Sequence, residues 1–314
     1  MERLLKRLPL NELIDLKIDF AFKQLFGSDS NKHMTIVFLN ALLKRTGEEK
    51  IKEITYENSE IVGEYPGDKQ SRLDVRAKTN KGEIVNIEIQ FSNEYDMVQR
   101  SLFYWSHLYK EPMSAGSSYL ELKPVITINI LNFNLFQTET NKFHTTFHLY
   151  EDDDQFKLTN VLEMNFVEMP KLLSDWKQGK LNPRDDVLAR WLLMLGIVDR
   201  KNHHVYEDIY HELEEIAVKD PILREAFQDW EQLSADKETR LAYEIRLKEV
   251  LDRYSAQREA ELREQMALEK GKAEGKEEGK ADVAKKMISL GMDIGLIADL
   301  TGLPVEQIQR LKES

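Results

Sequence analysis

The sequence predicts an α/β fold in which helices flank a mixed β-sheet, followed by an all-helical C-terminal region. Two stretches on either side of Gly82, residues 72–77 and 85–90, alternate apolar and polar residues, as paired strands do. Residues 125–131 are predominantly apolar and β-branched without alternation, which indicates a strand covered on both faces. From Pro170 onward the apolar residues recur at helical spacing instead. Together these patterns predict a sheet-containing domain followed by helices.

Two helices and one strand are predicted before the alternating stretches. Residues 10–26 carry apolar residues at helical spacing up to Gly27, and residues 35–43 repeat the pattern over a shorter length. Residues 51–61 predict the first strand, and the Pro-Gly sequence within residues 64–68 predicts a turn. The chain therefore enters the sheet from a helical N-terminal region.

A β-hairpin is predicted around Gly82. A three-residue loop that ends at Gly82, with this glycine in the left-handed conformation, fixes the register so that paired residue numbers sum to 162. Asp74 then lies opposite Glu88, and Gln90 lies opposite Arg72 on the same face. The apolar neighbours point to the other face, so the hairpin presents one core face and one polar face.

The facing carboxylates predict a positive group between them, because like charges directly across a ladder repel one another. Hard divalent cations such as Mg²⁺ take carboxylate oxygens and often accept only one or two of them from the protein. The alternative is a solvated hairpin face on which Arg72 and Arg76 neutralise the two acids. The hairpin alone leaves both interpretations open.

A helix and a further strand are predicted beyond the hairpin. The helix covers residues 96–109, and Ser92 and Asn93 are its predicted N-cap. Its predicted apolar stripe consists of Met97, Leu102, Trp105 and Leu108. Another face of this helix carries Arg100 and Tyr104. Residues 143–150 alternate again and predict a strand that follows the apolar strand at 125–131.

Several of these stretches resemble one protein family. Asp74, followed after a hairpin by Glu88-Ile-Gln90, resembles the PD-(D/E)xK nuclease core, in the variant of the bacterial Rpn (recombination-promoting nuclease) proteins or PD-(D/E)xK nuclease family transposases. The further similar stretches are residues 19–27, 100–105 and 124–133, and the C-terminal Glu-Gly-Lys repeats that lead to Thr301-Gly-Leu-Pro304. The resemblance therefore spans most of the chain.

The resemblance implies a restriction-endonuclease-like sheet and metal-dependent endonucleolytic hydrolysis of DNA. It assigns Asp74 and Glu88 as ligands of Mg²⁺ or Mn²⁺ and makes Asp19, from the first helix, a candidate third ligand. Gln90 stands where most members of the broad family carry lysine. A glutamine orients water or a phosphate oxygen by hydrogen bonds but supplies no positive charge. The resemblance also implies roles in recombination or phage defence.

The charge distribution is compatible with DNA as the partner. The net charge is −12, but residues 1–150 contain 19 Lys and Arg against 20 Asp and Glu, whereas residues 151–314 contain 25 against 36. The acidity therefore lies in the C-terminal half, and basic side chains near the proposed site are available for phosphates. The candidate phosphate or DNA contacts are Lys23, Arg72, Arg76, Arg100 and Tyr104.

Four regions are predicted along the chain. They are a nuclease-like domain at 1–169, a helical layer at 170–235, a long charged helix with a Gly/Glu/Lys connector at 236–280, and a small helical segment at 281–314. The glycines at 271, 275 and 279 predict a flexible connector. The charged helix needs a partner, and self-association through the C-terminal helices predicts a homo-oligomer. The last segment resembles a helix-turn-helix, and a docking or oligomerisation cap is the alternative.

Composition excludes several other classes. The chain contains no cysteine, which excludes disulfides, thiolate metal sites and cysteine nucleophiles. It contains no run of about 18 apolar residues, so no membrane association and a cytoplasmic location are predicted. No phosphate-binding glycine loop, nucleophile elbow or dinucleotide fingerprint indicates a competing enzyme class. The alternative function is a catalytically inactive nuclease-like scaffold that acts as a DNA-associating or protein-interaction module.

Overall fold

The computed structural model describes residues 4–5, 7–58, 60–61, 71–72, 74–93, 96–114 and 116–313, with residues 60, 61, 71 and 72 described by their backbone alone. The chain forms two compact units, Met1–Asp252 and Arg253–Ser314. The helices predicted as a separate layer at 170–235 belong to the first unit. The turn predicted at 64–68 lies outside the described residues.

A six-stranded mixed sheet is the centre of the first unit. The strands, in chain order, are β1 (Ile54–Tyr56), β2 (Glu60–Ile61), β3 (Ser71–Arg72), β4 (Val75–Thr79), β5 (Ile84–Gln90), β6 (Val125–Leu131), β7 (His144–Phe147), β8 (Leu162–Glu168), β9 (Val198–Asp199) and β10 (His204–Val205). The large sheet has the order β1-β4-β5-β6-β8-β7, while β2 pairs with β3 and β9 pairs with β10. Strands β5, β6 and β8 are parallel, and the outer pairings are antiparallel.

Helices surround this sheet and form the C-terminal region. In chain order they are α1 (Asp19–Phe26), α2 (Lys32–Leu42), α3 (Met97–Lys110), α4 (Met169–Lys177), α5 (Val187–Gly196), α6 (Glu207–Ala217), α7 (Pro221–Ala235), α8 (Lys237–Ser289), α9 (Ile294–Thr301) and α10 (Val305–Glu313). The predicted α/β fold with a mixed sheet, flanking helices and a helical C-terminal region is confirmed. None of the helices in the described part of the chain combines the length and the apolarity that crossing a bilayer requires.

The predicted hairpin register is confirmed over β4 and β5. Val75 pairs with Ile87 and Lys78 with Ile84, and Gly82 has a φ of +82°, which glycine tolerates best. The predicted pairing of Arg72 with Gln90 is wrong, because Arg72 lies in β3 and pairs with Glu60 of β2. β4 begins only after Asp74, whose carboxylate accepts a hydrogen bond from the Ile89 backbone. The Asp74 side chain thus accepts the hydrogen bond of a β5 backbone amide that would otherwise pair with the backbone of a longer β4.

The first predicted strand is also interrupted. The structure divides residues 51–61 between β1, which pairs with β4 of the large sheet, and β2, which pairs with β3. The sequence pattern did not show that the two pieces belong to different sheets.

Helix α3 packs on the sheet with a different stripe from the one predicted. Its buried residues are Met97, Ser101, Tyr104 and Leu108, which recur at intervals of three and four. Leu102 is 45% exposed, so its place in the predicted stripe is wrong. The N-cap is Asp96 rather than Ser92 or Asn93, and its carboxylate accepts hydrogen bonds from two backbone amides of the first turn.

In its described part, the second unit consists of helices joined by short turns. The glycines at 271, 275 and 279 lie inside α8, so the predicted flexible connector is wrong. Each glycine costs up to about 1 kcal/mol of helix stability, but the neighbouring Glu, Lys and Ala residues are strong helix formers. The two predicted terminal helices are confirmed as α9 and α10. Their small core consists of Ala284, Ile297, Leu303 and Ile308.

Candidate active site

Asp74 and Glu88 meet where β4 begins beside β5. Glu88 is 1% exposed, and its Oε1 accepts from the Asp74 backbone amide at 3.4 Å and from Asn86 Nδ2 at 3.4 Å. Asp74 Oδ2 accepts from the Ile89 backbone amide at 2.7 Å. Because Asn86 and Glu88 are two positions apart in β5, their side chains point to the same face, which is the face that the hairpin register predicted. The solvated-face alternative is wrong for Glu88, which water does not reach.

Arg100 joins this pair from the first turns of α3. Its Nη1 donates to Gln90 Oε1 at 3.1 Å, and its Nη2 donates to Glu88 Oε2 at 3.4 Å. Gln90 Nε2 donates to the same Glu88 oxygen at 3.4 Å. The Arg100 guanidinium lies over the ring of the buried Tyr104, 5.2 Å from its centroid. Tyr104 therefore supports Arg100 from the core side, and Arg100 fixes the amide of Gln90.

The two acids are short of positive charge. Burial, followed by the charges of Glu88 and Asp19, raises the pKa of Asp74 well above its usual value. Burial raises the pKa of Glu88 to about 7, although Arg100 and the hydrogen bond from Asn86 oppose the shift. Arg100 alone therefore does not compensate the buried carboxylates, and a cation between them would lower both pKa values.

Asp19 is close enough to act on both acids but has a partner of its own. It stands at the start of α1, and its charge raises the pKa of Asp74 and of Glu88. Its carboxylate accepts hydrogen bonds from Arg246 Nε at 2.8 and 3.0 Å and from Arg246 Nη2 at 2.5 Å. No sequence pattern indicated this contact, because Arg246 lies 227 positions later in a helix full of charged residues.

Of the remaining predicted phosphate contacts, Arg76 lies outside the Asp74, Glu88, Gln90 and Arg100 constellation. Arg76 Nε donates to Glu57 at 2.9 Å, and its Nη2 pairs with Glu111 at 2.6 Å. Its guanidinium is therefore held by those two carboxylates rather than by Asp74 or Glu88. Lys23 lies in α1, four residues after Asp19. Arg72 is described by its backbone in β3 alone.

The carboxylates of Asp74 and Glu88 fit a hard divalent cation that takes two protein carboxylates as ligands. Within the ranges that the structure describes, no three His, Cys, Asp or Glu side chains are grouped so that they could hold a metal together. Mg²⁺ needs only one or two carboxylates when water and a substrate phosphate supply the other oxygens. Asp74 and Glu88 could provide those oxygens, and their raised pKa values fit carboxylates whose charges lack full compensation. Both oxygens of Asp19 accept hydrogen bonds from Arg246, so this carboxylate is already engaged.

Comparison with known proteins gives one match. A family model described as PD-(D/E)XK nuclease family transposase matches residues 16–260. This range contains every predicted site residue, from Asp19 to Tyr104, and extends into α8. No curated protein and no solved structure matches the chain.

Proposed function

Because the chain belongs to the PD-(D/E)XK nuclease family transposases, we propose that it is a metal-dependent DNA endonuclease that hydrolyses phosphodiester bonds. The observation that carries this proposal is the meeting of Asp74 and Glu88, two carboxylates with raised pKa values, beside Gln90 and Arg100. A cytoplasmic location belongs to the same proposal.

Asp74 and Glu88 would hold Mg²⁺ or Mn²⁺. When bound, such a cation polarises the scissile phosphate and acidifies water near it. Asp74 is oriented for this role by the Ile89 amide, and Glu88 by Asn86 and by the Asp74 backbone. Backbone and buried amides hold both carboxylates at the edge of β5 without neutralising them.

Gln90 and Arg100 together take the role of the lysine that most members of the broad PD-(D/E)xK nuclease group carry at the position of Gln90. The amide of Gln90 can orient water or a phosphate oxygen, and the guanidinium of Arg100 supplies the positive charge that glutamine lacks. Arg100 reaches Gln90 Oε1 at 3.1 Å, which leaves the Gln90 amide nitrogen directed to Glu88. Arg100 thus orients Gln90 and lowers the pKa of Glu88 at the same time.

The test is nicking of supercoiled plasmid by the full chain with Mg²⁺, with Mn²⁺ and with EDTA. We expect metal-dependent nicking that falls about 100-fold or more in Asp74→Ala and in Glu88→Ala. Lys219→Ala, a change of an exposed lysine outside the site, is the control and should cleave as the wild type does. Equal cleavage by the wild type and both acid variants, with folding confirmed by circular dichroism, would reject the proposal.

A DNA-associating or protein-interaction scaffold without cleavage is the second candidate. The contact that favours it is the forked hydrogen bonding of Arg246 to both oxygens of Asp19, which withholds a third carboxylate. Such a scaffold would bind DNA or a protein partner equally well with Mg²⁺ and with EDTA. Stabilisation by Mg²⁺ that disappears in Asp74→Ala would favour the enzyme instead.

Self-association through the C-terminal helices and a role in recombination or phage defence extend the proposal. Leu241 and Ile245 of α8 are 62% and 57% exposed, so this helix presents apolar side chains that a second copy could cover. Light scattering on the full chain and on a Leu241→Glu, Ile245→Glu double variant tests the first point. A dimer or larger species that dissociates in the variant is the expected result.

A further inference from the structure

A polar pocket lies close to the candidate active site, at the carboxyl end of β6. Its volume is about 610 Å³, within the range of roughly 300–1,000 Å³ that is typical of small-molecule sites. The lining residues used below are Asn132, Phe133, Lys177, Asp199, Lys201 and Tyr206. Asn132 and Phe133 follow β6 directly, at the edge where open α/β sheets bind their ligands.

Lys201 connects this pocket to the active-site strand. Its Nζ donates to the backbone oxygen of Phe91 at 3.1 Å and to that of Asn132 at 3.1 Å. Phe91 directly follows Gln90, and Glu88 is three positions before Phe91, a distance of roughly 10 Å along a strand. The pocket is therefore near enough to the two carboxylates for nucleotides of one DNA strand to occupy both places.

The pocket carries more positive than negative side chains. Lys177 and Lys201 line it together with one carboxylate, that of Asp199. Asp199 is itself engaged, because it accepts hydrogen bonds from the backbone amide of Asn202 at 3.3 Å and from Asn202 Nδ2 at 2.7 Å. Lys177 Nζ lies 4.9 Å from the centroid of the Tyr206 ring. This arrangement of cations favours an anionic ligand such as a phosphate.

Asn132 supplies an independent indication of a ligand. It is 8% exposed, and its Nδ2 has no hydrogen-bond acceptor within the part of the chain that the structure describes. A buried donor without an acceptor loses its hydrogen bond to water and gains none in return, so native proteins rarely leave one unused. An acceptor on a bound molecule would satisfy it. Phe133 and Tyr206 add aromatic surface, which an inorganic anion would not need but a nucleobase would.

We propose that this pocket binds one nucleotide, with its phosphate near Lys177 and Lys201 and its base beside Phe133 and Asn132. The source favoured by the distance to Glu88 is a nucleotide of the strand whose cleavage is proposed above, and this assignment of the source rests on that proposed function. A free nucleotide carries the same chemistry and is distinguished by the test.

The experiment measures binding of a fluorescein-labelled single-stranded oligonucleotide of eight thymidines to the full chain in EDTA, by fluorescence anisotropy. The variants are Asn132→Ala and Lys177→Ala, and the control is Lys180→Ala, an exposed lysine just beyond α4 that does not line this pocket. We expect a five- to tenfold higher Kd in both pocket variants and a change below twofold in the control. Thymidine monophosphate should compete, and thymidine should compete far less.

The outcomes separate the sources and separate this inference from the proposed nuclease. Monophosphate that binds as tightly as the oligonucleotide would assign the pocket to a free nucleotide. Oligonucleotide binding that neither pocket variant weakens, or no binding by oligonucleotide and monophosphate alike, would overturn the inference. Because the measurement is made without metal, a failure of plasmid cleavage does not affect it. Lys177 is exposed, so its variant stays informative if Asn132→Ala does not fold.

Discussion

The first unit buries charge at Asp15 and Lys17 and again at Asp74 and Glu88, and the two places are built differently. Lys17 Nζ lies 2.9 Å from Asp15 Oδ1, and both side chains are at most 1% exposed. Asp15 Oδ2 accepts from the Arg200 backbone amide at 2.9 Å, and Lys17 also donates to two backbone oxygens. The pair is electrically neutral, and all but one of these contacts, the 3.4 Å hydrogen bond from Lys17 to the Leu195 backbone oxygen, are 2.9 Å or shorter.

Asp74 and Glu88 have the opposite balance. Among the residues that the structure describes, Arg100 is the arginine that acts on both acids, and the hydrogen bonds that Glu88 accepts are all long, at 3.4 Å. The pKa values of both acids are raised, chiefly by burial. A buried charge cluster with matched signs serves the fold, whereas one with excess negative charge and long hydrogen bonds is suited to a ligand that brings positive charge.

Breaking the neutral pair should have the largest effect on stability. In Lys17→Met the carboxylate of Asp15 stays buried without its cation, so we expect the free energy of unfolding to fall by about 3–5 kcal/mol. Urea unfolding at pH 7.5, followed by circular dichroism, measures this. The double variant Asp15→Asn, Lys17→Met removes both charges and should recover part of the loss. A single variant within 1 kcal/mol of the wild type would show that the pair is not structural.

Removing an acid from the active site should stabilise the metal-free protein. Glu88 has its pKa raised to about 7 in the folded state, chiefly by burial, against 4.5 as its ordinary value. Between those pH values the folded state binds the extra proton, so wild-type stability falls as pH rises through this window. Glu88→Gln does not ionise, and we expect it to exceed the wild type by roughly 1–3 kcal/mol at pH 8 and by much less at pH 4.5.

Unfolding in EDTA at the two pH values measures this difference. The exposed Glu49 is a control of opposite sign, because Lys81 lowers its pKa, so Glu49→Gln should not gain stability at pH 8. A Glu88→Gln variant that is less stable than the wild type at pH 8 would contradict the view that this carboxylate is under-compensated.

The sequence predicted the local part of this site correctly. The register follows from Gly82 and from alternation, both properties of neighbouring residues, and it brings Asp74 beside Glu88 as expected. The beginning of β4 was not predictable from alternation, since Arg72 continues the pattern and yet pairs with Glu60. The strand pairing breaks where the Asp74 carboxylate accepts a hydrogen bond from the Ile89 backbone amide. Hydrophobic periodicity does not reveal such a contact.

Contacts between distant residues were beyond the sequence pattern. Arg246 reaches Asp19 across 227 positions, and one arginine among the many charges of α8 carries no mark of it. For the glycines of α8 the sequence predicted a break that does not occur. Their individual helix propensities are low, but strong helix formers on both sides maintain the helix. For α3, Ser92, Asn93 and Asp96 are all residue types that favour an N-cap, so residue type alone could not decide among them.

Changing the shape of the Arg100 side chain should lower the rate of plasmid nicking less than removing an acid does. Arg100→Lys keeps the charge but loses the fork that holds Gln90 and Glu88 together, so we expect a roughly tenfold lower rate of plasmid nicking. The acid side of the pH–rate profile should also move to higher pH, because Arg100 lowers the pKa of Glu88. Arg45→Lys, at an ion pair with Glu83 elsewhere in the fold, is the matched control. Equal rates and profiles in both variants would exclude a positioning role for Arg100.

The contact between Arg246 and Asp19 should have the smallest effect on the free energy of unfolding among these changes, and its main effect should be on metal affinity. Arg246 and Asp19 are 32% and 25% exposed, so Arg246→Met should cost about 1 kcal/mol or less in urea unfolding. Loss of Arg246 leaves the oxygens of Asp19 available beside Asp74 and Glu88. A third carboxylate should then tighten Mn²⁺ binding, measured by calorimetry, whereas Arg258→Met in α8, whose guanidinium pairs with Glu261, should leave it unchanged. Weaker Mn²⁺ binding in Arg246→Met would mean that Arg246 holds Asp19 in position for the metal instead of withholding it.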